Sequence, residues 1–348
     1  VAPCLRCGAC VTGAYGPAHY VPYHSHIYRC SVNPELGREW QKHIMPPGAP
    51  KRVLVIGGGP GGLQAALTAH DRGHQVILCE KGPQLGGLIP LVANLPFKKK
   101  YGDYIQRQVR WIEERNIEVH LNTEVTPELA KSFHADVVIA AVGGKSTIPP
   151  IPGVDRPFVQ DAAEVLKDLA SYKAEAMSRE QAEQPADHSG VNKGQAAVGL
   201  LQTKERIVII GGGPTGAEEG IALSDLGHDV TVIEMRDKLA LGAPYLHYCA
   251  LNKEYEKRTT GRAGQLRVRL STKCIAITDS GVEVENADGH RELIPADRVI
   301  LAVGIQNDLD YVEEFRDTAP EFRKVGDCNK PAAMLEAVRL GYDVAFGL

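Results

Sequence analysis

The run Val53-Leu54-Val55-Ile56 is continuously apolar rather than alternating, as a strand buried on both faces of a parallel sheet reads. It follows Lys51-Arg52. A glycine-rich turn, a helical pattern and a second apolar run, Gln75-Val76-Ile77-Leu78, come after it. That order predicts a βαβ unit. The pattern then recurs. Residues 53–80 (VLVIGGGPGGLQAALTAHDRGHQVILCE) and 207–234 (IVIIGGGPTGAEEGIALSDLGHDVTVIE) align without a gap. The glycines coincide, Gly73-His74 matches Gly227-His228, and Glu80 matches Glu234. One unit has been used twice.

Each repeat has a similar tail. The first passes through an amphipathic helix near Asp103 to Asn116, then strands near Ile117 to Leu121 and Asp136 to Ala141, and ends Ala141-Val142-Gly143-Gly144. The second passes through Val268 to Leu270 and a hairpin around Val282 to Val284, with Asp288-Gly289 at its turn, and ends Val299 to Gly304. The prediction is an α/β chain with two Rossmann-like dinucleotide-binding domains, one nested in the other, behind a small irregular cysteine-rich segment. The expected divisions are 1–45 for that segment, 46–155 and 301–348 for the first nucleotide domain, and 205–300 for the second. Between them, 156–204 is a polar connector whose stretch 173–203 reads as an exposed helix and loop. Pro46-Pro47-Gly48-Ala49-Pro50 is the first linker, since proline can continue neither a helix nor a central strand.

Composition narrows the classes. The 348 residues are 43% hydrophobic and 24% charged, ordinary for a globular protein, and the formal charge is −4. Nothing there suggests a nucleic-acid or membrane surface. No apolar run approaches the ~20 residues needed to cross a bilayer, and no signal peptide is evident, so a cytoplasmic location is expected. The chain opens on Val1, as a fragment or a processed subunit would.

Gly57, Gly59 and Gly62 fill the three slots of G-x-G-x-x-G. The first allows the tight turn, the second lets the backbone approach a pyrophosphate, and the third lets helix and strand pack closely. The helix N-terminus then favours phosphate. Glu80, ending the second strand, can bond a ribose diol. Gly211, Gly213, Gly216 and Glu234 repeat the arrangement. An acid at that place repels a 2′-phosphate and bonds a free 2′-hydroxyl, so NADH is favoured over NADPH, although Arg236 two residues on could accommodate a phosphate.

Four of the eight cysteines fall in the first 30 residues: Cys4, Cys7, Cys10 and Cys30. Three thiolates so close suit a compact cubane, with Cys30 as a remote fourth ligand. Zinc is the rival, and His24 or His26 could complete a Cys/His zinc site, although zinc sites usually use two separated cysteine pairs.

Cys4, Cys7, Cys10 and Cys30-Ser31-Val32-Asn33-Pro34, followed by the linker and a glycine loop, resemble the second half of the iron–sulfur old-yellow-enzyme-like reductases. That family includes 2,4-dienoyl-CoA reductase, 2-enoate reductase and trimethylamine dehydrogenase. The closing stretch Val325-Gly326-Asp327-Cys328-Asn329-Lys330-Pro331, then Glu336-Ala337 and Gly341-Tyr342, is similar to the family's end. The resemblance implies an NADH-dependent oxidoreductase. Hydride passes from NADH to FAD, and single electrons pass through a [4Fe-4S] cluster held by Cys4, Cys7, Cys10 and Cys30 to FMN in a barrel. It places FAD on Gly57, Gly59, Gly62, Glu80, Gly87, Val142, Gly143, Gly326 and Asp327. It places NADH on Gly211, Gly213, Gly216, Glu234 and Gly304. An FMN-binding barrel domain or subunit is the implied partner, an oligomer is expected, and an unsaturated acyl-CoA or enoate is the implied substrate. No side-chain acid or base is needed for hydride transfer between nicotinamide and flavin, so no catalytic residue is assigned.

The chain departs from the family pattern. Two residues, not three, separate Cys7 from Cys10, and the stretch from Cys10 to Cys30 is long and rich in Tyr and His. The barrel is absent from the sequence. Two other readings stay open. In the trimethylamine-dehydrogenase manner the first domain would hold ADP as scaffolding and NADH would not be used. A thiol–disulfide reductase would need a cysteine pair beside the flavin, and 81–96 contains no cysteine.

Overall fold

The computed structural model describes residues 4–10, 29–41, 45, 48–182, 204–260 and 266–348. The Tyr/His-rich stretch with His24 and His26, and the greater part of 173–203, lie outside the described residues. The chain divides into two compact units. The first comprises Val1–Ala93, Phe97–Lys145 and Ile305–Leu348; the second comprises Asn94–Pro96 and Ser146–Gly304. The second is thus inserted into the chain of the first.

In the first unit, β1 (Arg52–Ile56), α1 (Pro60–Asp71), β2 (Gln75–Cys79), α2 (Lys99–Glu114), β3 (Glu118–His120) and β4 (Val137–Ala140) follow in order. After the insertion the chain returns with the strand Glu321–Lys324 and the helix Met334–Phe346. The sheet runs return strand–β4–β1–β2–β3, every pair parallel. Side chains alternate across a strand, and here both faces are covered. Val53 and Val55 join one apolar core with Leu63 and Val137, while Leu54 and Ile56 join another with Val138 and Phe315. That is why β1 is apolar at successive positions. Burying each such side chain contributes roughly 1.5–3 kcal/mol. The return helix lies close along α1, where a Cβ at Gly341 would come 2.3 Å from the Gly61 carbonyl oxygen.

The second unit contains β5 (Val159–Asp161), α3 (Ala162–Ala182), β6 (Arg206–Ile210), α4 (Pro214–Asp225), β7 (Asp229–Ile233), α5 (Tyr245–Thr260) and β8 (Leu266–Arg269). Then come β9 (Thr272–Thr278), β10 (Gly281–Asn286), β11 (Arg291–Pro295) and β12 (Arg298–Leu301). Its parallel sheet runs β5–β12–β6–β7–β8. β9, β10 and β11 form a separate antiparallel meander. Ile277, Val282 and Val284 of the meander share a core with Val208 and Ile210 of β6. The predicted hairpin is the β10–β11 pair, with Asp288 and Gly289 in its turn. Among the described residues no helix is long and apolar enough to cross a membrane.

Candidate functional site

The two glycine loops fold alike, and the reason is steric. Gly57 turns the chain at φ 104°, and its N–H donates to the Cys79 carbonyl at 2.7 Å. A Cβ there would lie 2.4 Å from the Ala141 carbonyl oxygen, and one on Gly62 would lie 1.9 Å from that of Gly57. Neither position admits a side chain. A Cβ at Gly59 would meet nothing within 4 Å. The chain therefore leaves space at the second glycine, where a pyrophosphate would need backbone contact. Gly59 caps α1 and Pro60 follows at its first position, where a missing N–H costs nothing. The first N–H groups of α1 have no partner within the helix, and with its dipole they favour an anion.

Glu80 is held by its own loop. Its Oε2 accepts from the Gly58 N–H at 2.8 Å and its Oε1 from the Gly82 N–H at 2.7 Å. Gly87 packs on the loop, where its Cβ would be 3.1 Å from the Gly59 Cα. Val142 and Gly143 follow β4; Gly326 and Asp327 follow the return strand. Asp327 Oδ1 accepts from the Ala332 N–H at 3.1 Å, and burial raises its carboxyl above the ordinary range. All nine residues expected around the flavin nucleotide follow the carboxyl ends of the strands or open α1. That is where ligands bind in such sheets.

The second loop repeats these distances. Gly211 turns at φ 107° and donates to Ile233 at 2.9 Å. A Cβ on Gly211 would be 2.4 Å from Ala302, and one on Gly216 would be 2.0 Å from Gly211. Gly213 and Gly304 open onto free space. Glu234 Oε2 accepts from the Gly212 N–H at 2.9 Å. Its Oε1 accepts from the backbone N–H of Arg236 at 2.9 Å and from the guanidinium Nε at 3.1 Å.

Two acids that the sequence reading did not single out lie just beyond this loop, on α4. Glu218 bonds His247 Nε2 at 2.5 Å. Glu219 is fully buried, and among the described residues neither carboxyl oxygen has a hydrogen-bond partner. Burial, then the neighbouring charges of Glu218 and Asp161, push its pKa well above the usual carboxylate range. The signal was present: two carboxylates inside an otherwise small and apolar helix, where the first repeat has Gln64 and Ala65.

Cys4, Cys7, Cys10 and Cys30 line one pocket in the first unit with Leu5, Gly8, Ser31 and Val32. Left-handed backbone at Arg6 (φ 56°) and Gly8 (φ 73°) wraps the loop around Cys7. The Arg6 N–H donates to Cys4 Sγ at 3.3 Å, and Cys7 Sγ lies 3.3 Å from Ser31 Oγ. The Cys10 thiol is raised by burial and, more weakly, by Cys30, Cys7 and Cys4. Among the described residues, no group of three or more His, Cys, Asp or Glu side chains is placed to hold a metal ion. A cubane asks for something different, because each thiolate takes its own iron at a separate corner and the sulfurs ring the cavity. All four cysteines line this one pocket, as the ligands of such a group would have to.

Two glycine cradles with matched acids define a dinucleotide-binding α/β protein of the flavoprotein kind. Residues 51–317 match the pyridine nucleotide-disulphide oxidoreductase family, and the chain belongs to it. It is accordingly an oxidoreductase with FAD- and NAD(P)H-binding Rossmann-like domains. It is 33% identical over 314 residues to the bilirubin reductase of Mediterraneibacter gnavus, covering 90% of this chain and 43% of that protein. It is 31% identical over 350 residues to the cinnamate reductase of Clostridium sporogenes, covering 99% and 45%. A solved 2-naphthoyl-CoA reductase complex superposes with a TM-score of 0.76 at 27% identity, covering 92% of this chain and 44% of that one. The chain spans about half the length of these relatives. The resemblance drawn from the cysteines and the closing stretch is thus carried by relatives that are themselves reductases.

Proposed function

We propose that this chain is the NADH-dependent electron-input module of an iron–sulfur flavoenzyme, with FAD in the first unit, NADH in the second and a [4Fe-4S] cluster on Cys4, Cys7, Cys10 and Cys30. The observation that carries the reading is the pair of matched cradles on one chain with a four-cysteine pocket. When bound, the cofactors supply the redox chemistry: hydride from NADH to FAD, then single electrons through the cluster to an FMN and substrate site in a barrel domain or partner chain. The protein's part is placement. Gly57, Gly59 and Gly62, with the N-terminus of α1, hold the flavin pyrophosphate, and Glu80 takes the ribose hydroxyls. Gly87, Val142, Gly143, Gly326 and Asp327 close the same end of the sheet. Gly211, Gly213 and Gly216 do likewise for NADH, with Gly304 beside them. Glu234 carries the preference for a free 2′-hydroxyl, and it holds Arg236 by one guanidinium bond, from Nε at 3.1 Å. Relatives named for cinnamate and for an aromatic acyl-CoA favour an unsaturated acyl-CoA or enoate as the final acceptor.

The test is the visible spectrum of the purified anaerobic protein before and after NADH. Flavin bands over a broad iron–sulfur shoulder, bleached faster by NADH than by NADPH, are expected. A spectrum without flavin, ADP released on denaturation and no response to NADH would overturn the reading and leave a nucleotide-holding scaffold.

A further inference from the structure

In the first unit, β4 and the return strand pair from Val137 with Glu321 to Ala140 with Lys324, and the ladder ends there. Both chains then turn at the ligand end of the sheet, the first at Gly143 (φ 79°) and the second at Gly326 (φ 75°). The turns stay side by side, since a Cβ on Gly144 would lie 3.4 Å from the Asp327 Cβ. Val142 and Gly143 in one turn, and Gly326 and Asp327 in the other, are half-buried. Cys328 behind them is fully buried. Its thiol donates to the Ala140 carbonyl at 3.2 Å and to the Val325 carbonyl at 3.1 Å, one proton shared between two acceptors. The Ala140 carbonyl also accepts from the Val325 N–H at 2.8 Å.

A buried thiol behaves as a small hydrophobe with a weak donor, and Cys328 serves as both. It fills a small core with Ala140 and Val312, against which Val142, Tyr311 and Phe322 pack. Burial raises its pKa, opposed by backbone hydrogen bonding at Val325, Val142 and Gly143. The sulfur therefore meets the backbone of both segments. Past the last ladder pair, strand pairing no longer spaces the two chains; the Val325 N–H and the Cys328 thiol do, both on the Ala140 carbonyl. Ordering a loose turn on binding costs conformational entropy. A tie that orders both turns beforehand adds to affinity by removing that cost.

We infer that Cys328 is a positioning residue for the flavin nucleotide: its thiol pins the Val142-Gly143 turn to the Gly326-Asp327 turn where the sheet has ceased to hold them. This inference rests on the placement of FAD in the first unit. Cys328 is fully buried, so it acts through the four turn residues assigned to the flavin.

The experiment follows FAD release when the flavin-loaded chain is diluted, read as the rise in flavin fluorescence, with the visible circular dichroism of the bound flavin and a melting curve on each variant. Cys328→Ala removes the thiol, and its FAD affinity is expected to fall on the order of tenfold, with a changed flavin dichroism. Cys328→Ser keeps a donor and is expected to recover most of both. Val312→Ala hollows the same small core without removing a bond to either turn. It is expected to lower the melting temperature and leave FAD affinity unchanged. If Cys328→Ala fails to fold, Cys328→Val, which fills the space and cannot donate, takes its place with the same expected loss. A thiol-free variant that holds FAD as tightly as the wild type would overturn the inference, as would a Val312→Ala variant that loses FAD equally. A wild-type chain that takes up no FAD would refute the flavin assignment itself, a result distinct from either.

Discussion

The two nucleotide units are the same device with different fittings. Their backbones agree down to single hydrogen bonds. The Lys51 N–H donates to His74 Nδ1, and the matching Glu205 N–H donates to His228 Nδ1. The Arg52 N–H donates to Asp136 Oδ2 at 2.7 Å, and the Arg206 N–H donates to Asp297 Oδ2 at 2.8 Å. The forbidden Cβ positions match as well. Among the side chains that differ, three bear on the nucleotide site and its charge. Where the first unit has Gln64, Ala65 and Gly82, the second has Glu218, Glu219 and Arg236. Gly82 offers Glu80 only a backbone N–H, whereas Arg236 adds a guanidinium to Glu234. Ala65 is fully buried and apolar; Glu219 is equally buried and ionisable. Backbone sterics thus set what kind of ligand each unit takes, and a few side chains set which ligand and under what conditions.

The largest effects should come from the third glycines. Gly62→Ala and Gly216→Ala each drive a Cβ into a carbonyl oxygen, so the loop must move, at about 1–3 kcal/mol or more. Gly62→Ala should lose its flavin, seen as a colour change on gel filtration. Gly216→Ala should keep flavin and lose NADH reduction. If both variants lost the same cofactor, the division of labour between the units would fail.

Glu219 should make stability depend on pH. Its folded pKa lies above the unfolded value, so the folded state binds the extra proton. Its contribution is fully present below the unfolded carboxylate pKa and is lost as pH rises toward the folded one. Stability should fall with rising pH above about 4.5, at no more than about 1.4 kcal/mol per pH unit. Glu219→Gln should flatten that slope and raise the thermal midpoint at pH 8. Ala65→Glu should introduce the same slope into the first unit. Melting curves from pH 5 to 8 check both, and an unchanged slope in Glu219→Gln would refute the assignment.

The second glycines should show the smallest change in stability. A Cβ at Gly59 or Gly213 enters open space, and φ there is an ordinary −71° or −64°. Ala at either cap should cost roughly 0.5–1 kcal/mol, because Ala is a poorer N-cap than Gly. Each should still weaken its own nucleotide, since the new methyl occupies the space a pyrophosphate needs. Melting temperatures together with nucleotide content check this pair.

The cradles were legible in the sequence because glycine spacing, a doubly buried strand and a terminal acid each answer a single local constraint. The repeat made the second cradle as plain as the first. The meander was half legible. β10 alternates over Val282 to Val284 before the Asp288-Gly289 turn, but β11 is exposed along most of its length and β9 has a register shift between Cys274 and Ala276 that breaks its period of two. α5 was missed because only Leu251 and Tyr255 are fully buried along its described side chains. α3 begins well before the polar stretch read as a helix, with Val165, Leu166 and Leu169 buried. The buried Glu219 could not be read from spacing, because its burial depends on packing across distant segments.

The most direct measurement is a calorimetric titration of NADH into the flavin-loaded chain, compared with Glu234→Gln and Glu80→Gln. Losing a charged acceptor of the ribose hydroxyls should cost about 1.5–3 kcal/mol, a loss of ten- to a hundredfold in affinity. Glu234→Gln should show that loss for NADH with flavin content unchanged, and Glu80→Gln should lower flavin content and leave the second cradle's NADH affinity intact. NADH affinity that is indifferent to Glu234→Gln, or that falls with Glu80→Gln instead, would contradict the assignment of one nucleotide to each unit.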